Sequence, residues 1–417
     1  MISTYTHVDK QHRFRMARIA VIALFFINGS FIASWAARIP AVQSRLGLEP
    51  GQLGIALLGS AVGALVAMNI AGRVSIRFGS AIVTVLTAIG LCISLPLLAL
   101  APNLLWLVLA LIFFGATNGS MDVTMNLQGA AVERGYGKPI FNSFHACYSV
   151  GALAGAFIGG IVATYNISPV YHFLGISSIG ALGILIASHF LLPPEPKTVS
   201  ETEAAASEKK PLFTRPSRTL VALGAIAFCA LISEGAISDW SALYLSGSVH
   251  ATAGLAAAGF AVFSLCMAIG RGVGDYLAVR LGSAVLVGLG GLLSAVGLGL
   301  GLIFPWTPVV IVGLGLIGLG LAVLFPLVLS AAGQNFAGSG EVAIATVSTC
   351  GYLGFLVGPP LIGFVADSFG LRIALGVVVL LGLIIFALSR TVRSKPSKPD
   401  EATLTSAKLD EAAAPLS

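Results

Sequence analysis

A chain of 417 residues that is 57% hydrophobic and only 10% charged, with a mean hydropathy of +0.96, is not a water-soluble protein, because soluble domains carry roughly 25% charged residues. Its net charge of +6 does not by itself point to nucleic acid, since the placement of charges says more than their sum. Cys92, Cys147, Cys229, Cys266 and Cys350 lie singly inside apolar stretches, which reads as packing rather than disulfides or metal ligation; no metal and no cofactor are expected.

Largely apolar segments of the length that spans a bilayer, about 20 residues, follow one another at 18–39, 51–73, 80–101, 104–131, 139–163 and 170–192, then at 218–245, 254–279, 284–303, 308–331, 342–365 and 372–392. Arg13, Arg15 and Arg18 before the first run imitate a secretory signal, but eleven further spans favour a retained first helix. The runs are too long and continuous for the alternating strands of a closed barrel. The expected fold is therefore all-α and integral to the membrane, with twelve transmembrane helices. Residues 1–17 form an N-terminal segment, 18–192 a six-helix bundle, 193–217 a linker rich in Pro, charge and small polar residues, 218–392 a second bundle, and 393–417 a disordered tail.

Lys10, Arg13, Arg15, Arg18, Arg73, Arg77, Arg134 and Lys138 fall on one side of the membrane with the basic residues of the linker and tail, while Arg38, Arg45 and Arg372 fall on the other. Basic residues gather in the cytoplasm, so both termini are expected there. The second half repeats the first at an offset of 203 residues: Arg77, Gly79, Ser80 and Ala81 return as Arg280, Gly282, Ser283 and Ala284, Gly115 as Gly318, and Gly151 and Gly155 as Gly354 and Gly358. Six helices repeated in one orientation give two bundles related by a pseudo-twofold axis along the membrane normal, with a binding interface between them near the midplane.

At this point the chain resembles the major facilitator superfamily over residues 15 to 392. GRVSIRFGS after the second span is similar to that family's cytoplasmic loop motif, with Ile76 where the motif has aspartate. The second copy, DYLAVRLGS, has Val279 there, and GRGVGD places Arg271 and Asp275 just ahead of it. Arg77, Arg271, Asp275 and Arg280 are expected to shape a cytoplasmic gate. ASWAARIPAV, GSMDVTMNLQGAAVERG, HACYSVGALAGA, SEGAISDW and GYLGFLVGPPLIG further resemble the fucose-permease-like branch and bacterial inner-membrane facilitators within it. That resemblance implies secondary transport of small polar compounds, often coupled to protons.

An ionised side chain at the bilayer centre costs roughly 2.5 to 3.5 kcal/mol on insertion scales, so such residues face a wet cavity or a partner. Asp122 is flanked on one helix face by Asn118 and Asn126, four residues to either side. The fucose-permease-like pattern also has a carboxylate followed four residues later by Asn, which implies Asp122 as the proton-titrating group. Burial disfavours a charged carboxylate, a property useful to a proton carrier; the structural alternative is a hydrogen-bond acceptor between helices. Asn142, His145 and Ser149 share a stripe of the fifth span, with Tyr148 beside it, and His145 lies about 15 Å deep against about 20 Å for Asp122. The two could meet, His145 titrating with Asp122 or donating to the solute, or serving only as an interhelical contact.

Glu234, midway along the seventh span, is the rival proton site. Asp239 and Arg38 lie at similar depth on symmetry-related helices and are expected to pair as an outer gate, or else to remain separately solvated. Trp35 and Trp240 either cap the solute by stacking or anchor the membrane interface; Asn28 and Tyr352 are further cavity candidates. GALAGAFIGG is close to the superfamily's antiporter motif, with Ala156 in place of its proline, and physically it permits close helix packing.

The expected activity is proton-coupled uptake of a small polar organic solute by a monomer in the bacterial inner membrane. Its partners are that solute, protons and lipid, with no nucleic acid. Proton-driven efflux of a drug or metabolite is the alternative within transport, and a non-transporting membrane sensor the alternative outside it. No nucleotide loop, metal-spaced cluster or nucleophile motif supports an enzyme.

Overall fold

The computed structural model describes residues 2–137, 140–193, 217–335 and 340–392, and every regular element among them is helical. The first half comprises α1 (Ile2–Leu46), α2 (Pro50–Phe78), α3 (Ser80–Leu100), α4 (Leu104–Tyr136), α5 (Phe141–Thr164) and α6 (Pro169–Ser188). The second comprises α7 (Arg218–Leu243, closed by a π turn at Tyr244–Ser248), α8 (Ala253–Leu281), α9 (Ser283–Ile303), α10 (Thr307–Leu321, resuming at Leu324–Asn335), α11 (Gly340–Phe369) and α12 (Leu371–Ala374, resuming at Gly376–Leu388). Among the described residues, 12 helices are long and apolar enough to cross a membrane, and they coincide with the expected spans apart from their ends. The largest departure is α1, which is already helical at Ile2; residues before 18 therefore extend the first helix. Most of the linker and the whole tail lie outside the described residues.

Local chemistry sets the helix boundaries. Asn103, Ser217 and Thr252 cap α4, α7 and α8 by accepting hydrogen bonds from Trp106, Leu220 and Leu255 amides, as N-cap side chains do. Gly79 and Gly282, at φ 87° and 82°, turn the chain between α2 and α3 and between α8 and α9, a conformation only glycine adopts without strain. That requirement explains why the Arg-x-Gly-Ser-Ala string occurs twice. α10 breaks at Ala322 and Val323; the ring of Pro326 would clash with the carbonyl four residues earlier, that of Ala322.

Because lipid is as apolar as a leucine side chain, helices in a membrane associate through close packing, and glycines provide it here. A Cβ on Gly115 of α4 would overlap the Ser60 carbonyl of α2, and one on Gly318 of α10 would overlap the Phe263 carbonyl of α8. Both members of this crossing are displaced by the same 203 residues. Gly151 and Gly155 of α5 seat on Phe26 and Ser30 of α1, while Gly354 and Gly358 of α11 lie along Phe228 and Ile232 of α7. The α5 glycines resembling an antiporter motif thus serve helix packing. All five cysteines are free thiols.

An even number of crossings brings both ends of the chain to one face, the terminal face; the other is called the far face. The halves meet near the far face along two seams. In one, the start of α2 lies on the end of α11: Gly51 N–H donates to Asp367 Oδ1 at 2.9 Å, and Gly54 abuts Pro359 and Gly363. In the other, the start of α8 lies on the end of α5, with Gly254 against Thr164 and Ala257 against Gly160. Adding 203 to Gly51 and Gly54 gives Gly254 and Ala257, and subtracting it from Gly363 and Asp367 gives Gly160 and Thr164, so the seams are symmetry mates. Among the described residues, the close glycine contacts between the halves all lie near the far face. The bundles therefore enclose a cleft, closed at the far face and open at the terminal face.

Gly115→Val and Gly318→Val are each expected to lower stability by about 1–3 kcal/mol through overpacking. Gly299→Val, which faces open space, is expected to leave the thermal unfolding midpoint of the detergent-solubilised protein nearly unchanged. Equal midpoints for all three variants would contradict this packing account.

Candidate functional site

The cleft is lined at mid-depth by polar side chains from α4, α5, α7, α8 and α11. On α4, Asn126 Nδ2 donates to the Asp122 carbonyl at 2.7 Å and to its carboxylate Oδ1 at 3.2 Å. The i, i+4 spacing that puts both on one face also lets the amide hold the carboxylate still. Asn118, one turn the other way, accepts from Asn28 Nδ2 of α1 at 2.9 Å. Asn28 itself is buried and also reaches Met121 Sδ at 3.5 Å; it braces Asn118 from behind the cavity wall rather than lining it.

α5 contributes His145 and Tyr148. The exposed His145 ring lies edge-on to Phe25, centroids 5.2 Å apart, and 5.4 Å from Phe141. No hydrogen bond joins it to Asp122, and the charge that acts on it is that of Arg271. Similar depth on two helices of one bundle is not enough to join the two. Tyr148 is the central element: the charges of Asp122, Glu234 and Arg271 all act on it. Ser149 hydrogen-bonds back to the His145 carbonyl at 3.2 Å. The Asn142 side chain lies outside the described residues.

From the second half, Arg271 Nη2 of α8 approaches Glu234 Oε1 of α7 at 3.5 Å, with side-chain exposures of 42% and 25%. Arg271, expected at the terminal-face gate, sits instead inside the cleft as the partner of Glu234. Tyr352 of α11 is 40% exposed, stands edge-on to Phe325 at 6.4 Å, and feels the charge of Asp122 across the cleft. A carboxylate on one bundle and an ion pair on the other thus face a common space flanked by two tyrosines and a histidine. Among the described residues, no group of His, Cys, Asp and Glu is arranged to hold a metal.

Several expected positions are corrected. Trp35 is buried between Phe114 and Phe173, centroids 6.5 and 6.4 Å away, and belongs to the first bundle's core. Trp240 is fully buried in the second bundle. Neither ring lines the cleft. Arg38 does not pair with Asp239: its Nη2 donates to the Ile167 carbonyl in the α5–α6 turn, and among the described residues no ion pair joins it to Asp239. An outer gate should be formed when the far face is closed, as it is here, and this pair is absent. Arg77 and Arg280 are exposed at the terminal face, stacked on Phe78 and Tyr276 of their own helices at 5.3 and 4.8 Å. They bridge nothing across the open mouth. The Asp275 side chain lies outside the described residues.

Three positions escaped the sequence reading. Asp367 closes one far-face seam, and its signal was an acidic residue at the end of a span opposite the Pro-Gly start of another. Gln128 is a two-way clamp, accepting from Leu192 N–H and donating to the Leu192 carbonyl, each at 3.0 Å, and donating to Ser80 Oγ at 2.8 Å. Glu133 accepts from the amides of Ile140 and Phe141 at 2.7 and 2.6 Å, fixing the α4–α5 connection.

Comparison with known proteins agrees with this architecture. The Major Facilitator Superfamily matches residues 19–342 and 223–415. The membrane protein MosC of Rhizobium meliloti is 35% identical over 370 residues, 89% of this chain and 88% of MosC. An uncharacterized MFS-type transporter of Yersinia pestis is 33% identical over 88% of this chain and 94% of its own length. Among solved structures, the nucleoside transporter NupG superposes with a TM-score of 0.70 over 91% of this chain and all of NupG, at 12% identity. A bacterial homolog of the human lysosomal transporter Spinster, in an inward-facing and unoccupied conformation, gives 0.68 over 92% of this chain and 99% of its own, at 15% identity; both likenesses concern the fold. Twelve apolar helices in two repeated bundles, matched along nearly the whole chain, place the protein in the Major Facilitator Superfamily of membrane transporters.

Proposed function

We propose that this protein is a proton-coupled secondary transporter that moves a small polar organic solute across a bacterial inner membrane by alternating access, with both termini in the cytoplasm. The observation that carries this reading is the placement of Asp122 and the Glu234–Arg271 pair on opposite bundles, facing one cleft at mid-membrane depth. Charges there are costly unless water or a ligand reaches them, and the cleft admits both. With the termini cytoplasmic, the cleft opens inward and the far face is periplasmic. Asp122 carries the proton, Asn118, Tyr148 and Tyr352 engage the solute, and Arg271 couples His145 and Glu234 to its occupancy.

The purified protein is to be screened by thermal shift with sugars, polyols, amino acids and organic cations at pH 5.5 and 7.5, since a selective ligand raises apparent stability. In proteoliposomes, the hit is expected to accumulate under an imposed pH gradient, and the sign of accumulation separates uptake from efflux. Asp122→Asn is expected to cut gradient-driven accumulation by roughly tenfold or more, about 1.4 kcal/mol, while solute exchange without a gradient persists. Undiminished accumulation in that variant would remove Asp122 from coupling.

Closure at the periplasmic face gives a second expectation. A carboxylate at a helix N-terminus contributes about 0.3–1 kcal/mol, so Asp367→Ala is expected to move the inward-open population towards outward-open by about two- to fivefold. Spin labels at Arg77→Cys and Arg280→Cys in a cysteine-free background report this as loss of the longer distance. An unchanged distance distribution would mean that Asp367 does not hold the seam.

A further inference from the structure

At the α5–α8 seam a cavity of about 280 Å³ opens between the halves, lined by Arg38, Ser168, Pro169, Ser246, Ala253 and Ala256 among others, none of them acidic. Three sources of positive potential reach it, alongside the carboxyl ends of α5 and α7 at Ala163 and Ser246. Arg38 is 4% exposed; its Nη2 donates to the Ile167 carbonyl, its Nε is buried without a partner, and no acidic side chain pairs with it among the described residues. Ser168 and Pro169 open α6, and Ala253 opens α8, so two helix N-termini, of 20 and 29 residues, present their positive ends to the same space. A guanidinium removed from water without a counter-ion is unfavourable.

The pseudo-symmetry indicates what is missing. At the α2–α11 seam, the carboxylate of Asp367 accepts from Gly51 N–H at the start of α2. At the α5–α8 seam the mate of Gly51 is Gly254, and the mate of Asp367 is Thr164, whose hydroxyl turns back to the Gly160 carbonyl at 2.9 Å. One seam carries its own carboxylate, whereas the other has a hydroxyl, a cavity and an arginine without a counter-ion.

We infer that the cavity at the α5–α8 seam is a binding site for a small carboxylate, which supplies, beside the Thr164–Gly254 contact, the negative charge that Asp367 carries at the opposite seam. The anion lies against Arg38 and the first turns of α6 and α8. It touches both halves only while the far face is closed, so its binding favours that conformation. The site is separate from the mid-membrane cleft and does not depend on how Asp122 and Glu234 are used.

The test is thermal unfolding of the full chain in neutral detergent at fixed ionic strength, titrated with acetate and, as the uncharged isostere, acetamide. Acetate is expected to raise the midpoint saturably and acetamide not at all. Thr164→Asp, which restores the carboxylate of the opposite seam, is expected to raise the midpoint without ligand and abolish the acetate response. Arg38→Met is expected to lose the response, and Ala253→Phe, which leaves Arg38 intact while filling the cavity, to lose it as well. No saturable acetate effect in the unaltered protein, a response confined to added phosphatidylglycerol, or an acetate effect that survives Thr164→Asp and Ala253→Phe would each overturn the proposal.

Discussion

Hydrocarbon offers no partner to a charge or a peptide group, and the rest of this structure follows from that constraint. It requires the backbone to bond within helices, turns large side chains such as Ile179 and Leu182 outward, 74% and 62% exposed in the isolated chain, and leaves ionised groups only one place to go. Asp122, Glu234 and Arg271 occupy that place. The same constraint removes any hydrophobic drive for helices to associate with each other, so contact depends on glycine surfaces that let backbones approach to touching distance. The 50 glycines of the chain, unfavourable in a water-soluble helix, act here as packing surfaces.

The far-face seams are built from such surfaces. Gly51, Gly54 and Gly363 on one seam, and Gly160, Gly254 and Ala257 on the other, bring backbones together with almost no side chain between them. Little has to be repacked when they separate. The polar contact at the first seam is a carboxylate–amide bond at a helix N-terminus, and a carboxylate so placed contributes about 0.3–1 kcal/mol. That magnitude is large enough to bias a two-state equilibrium and small enough to be overcome by a ligand that prefers the other state. Thr164, standing where Asp367 would stand by symmetry, makes the two seams chemically unequal although their backbones are equivalent.

Depth along a helix was legible in the sequence, and azimuth was not. The spans, the duplication and the depth of Asp122 and Glu234 along their helices all follow from hydropathy and spacing, which are properties of position along the chain. Trp35 and Trp240 were placed in the cleft because they lie at a plausible height, yet each points into its own bundle. Arg38 and Asp239 share a height on symmetry-related helices, and still the guanidinium finds a backbone carbonyl on its own side. Asp122 and His145 have comparable depth, yet no hydrogen bond joins them. Asn118 and Asn126 stand four residues to either side of Asp122 on α4, so spacing alone puts the three on one helix face, and Asn126 does hydrogen-bond to Asp122. Arg271 was readable by a related logic: a charge nearly three turns inside a span needs a partner, and Glu234 was the acidic group nearest in depth on the adjoining helix.

The unequal seams also bear on why the ionisable groups are divided between the bundles. If Asp122 and the Glu234–Arg271 pair were on one bundle, rocking would carry them together and leave their mutual fields unchanged. Placed on opposite bundles, they would change separation in the proposed rocking cycle. Each closure of the terminal face would bring Tyr352 and the ion pair nearer to Asp122 and remove intervening water, strengthening every electrostatic interaction in the cleft. In the proposed cycle, protonation of any one group would alter the energy of the closed form more than that of the open form, and this differential is the physical requirement for an ion to bias a conformational equilibrium.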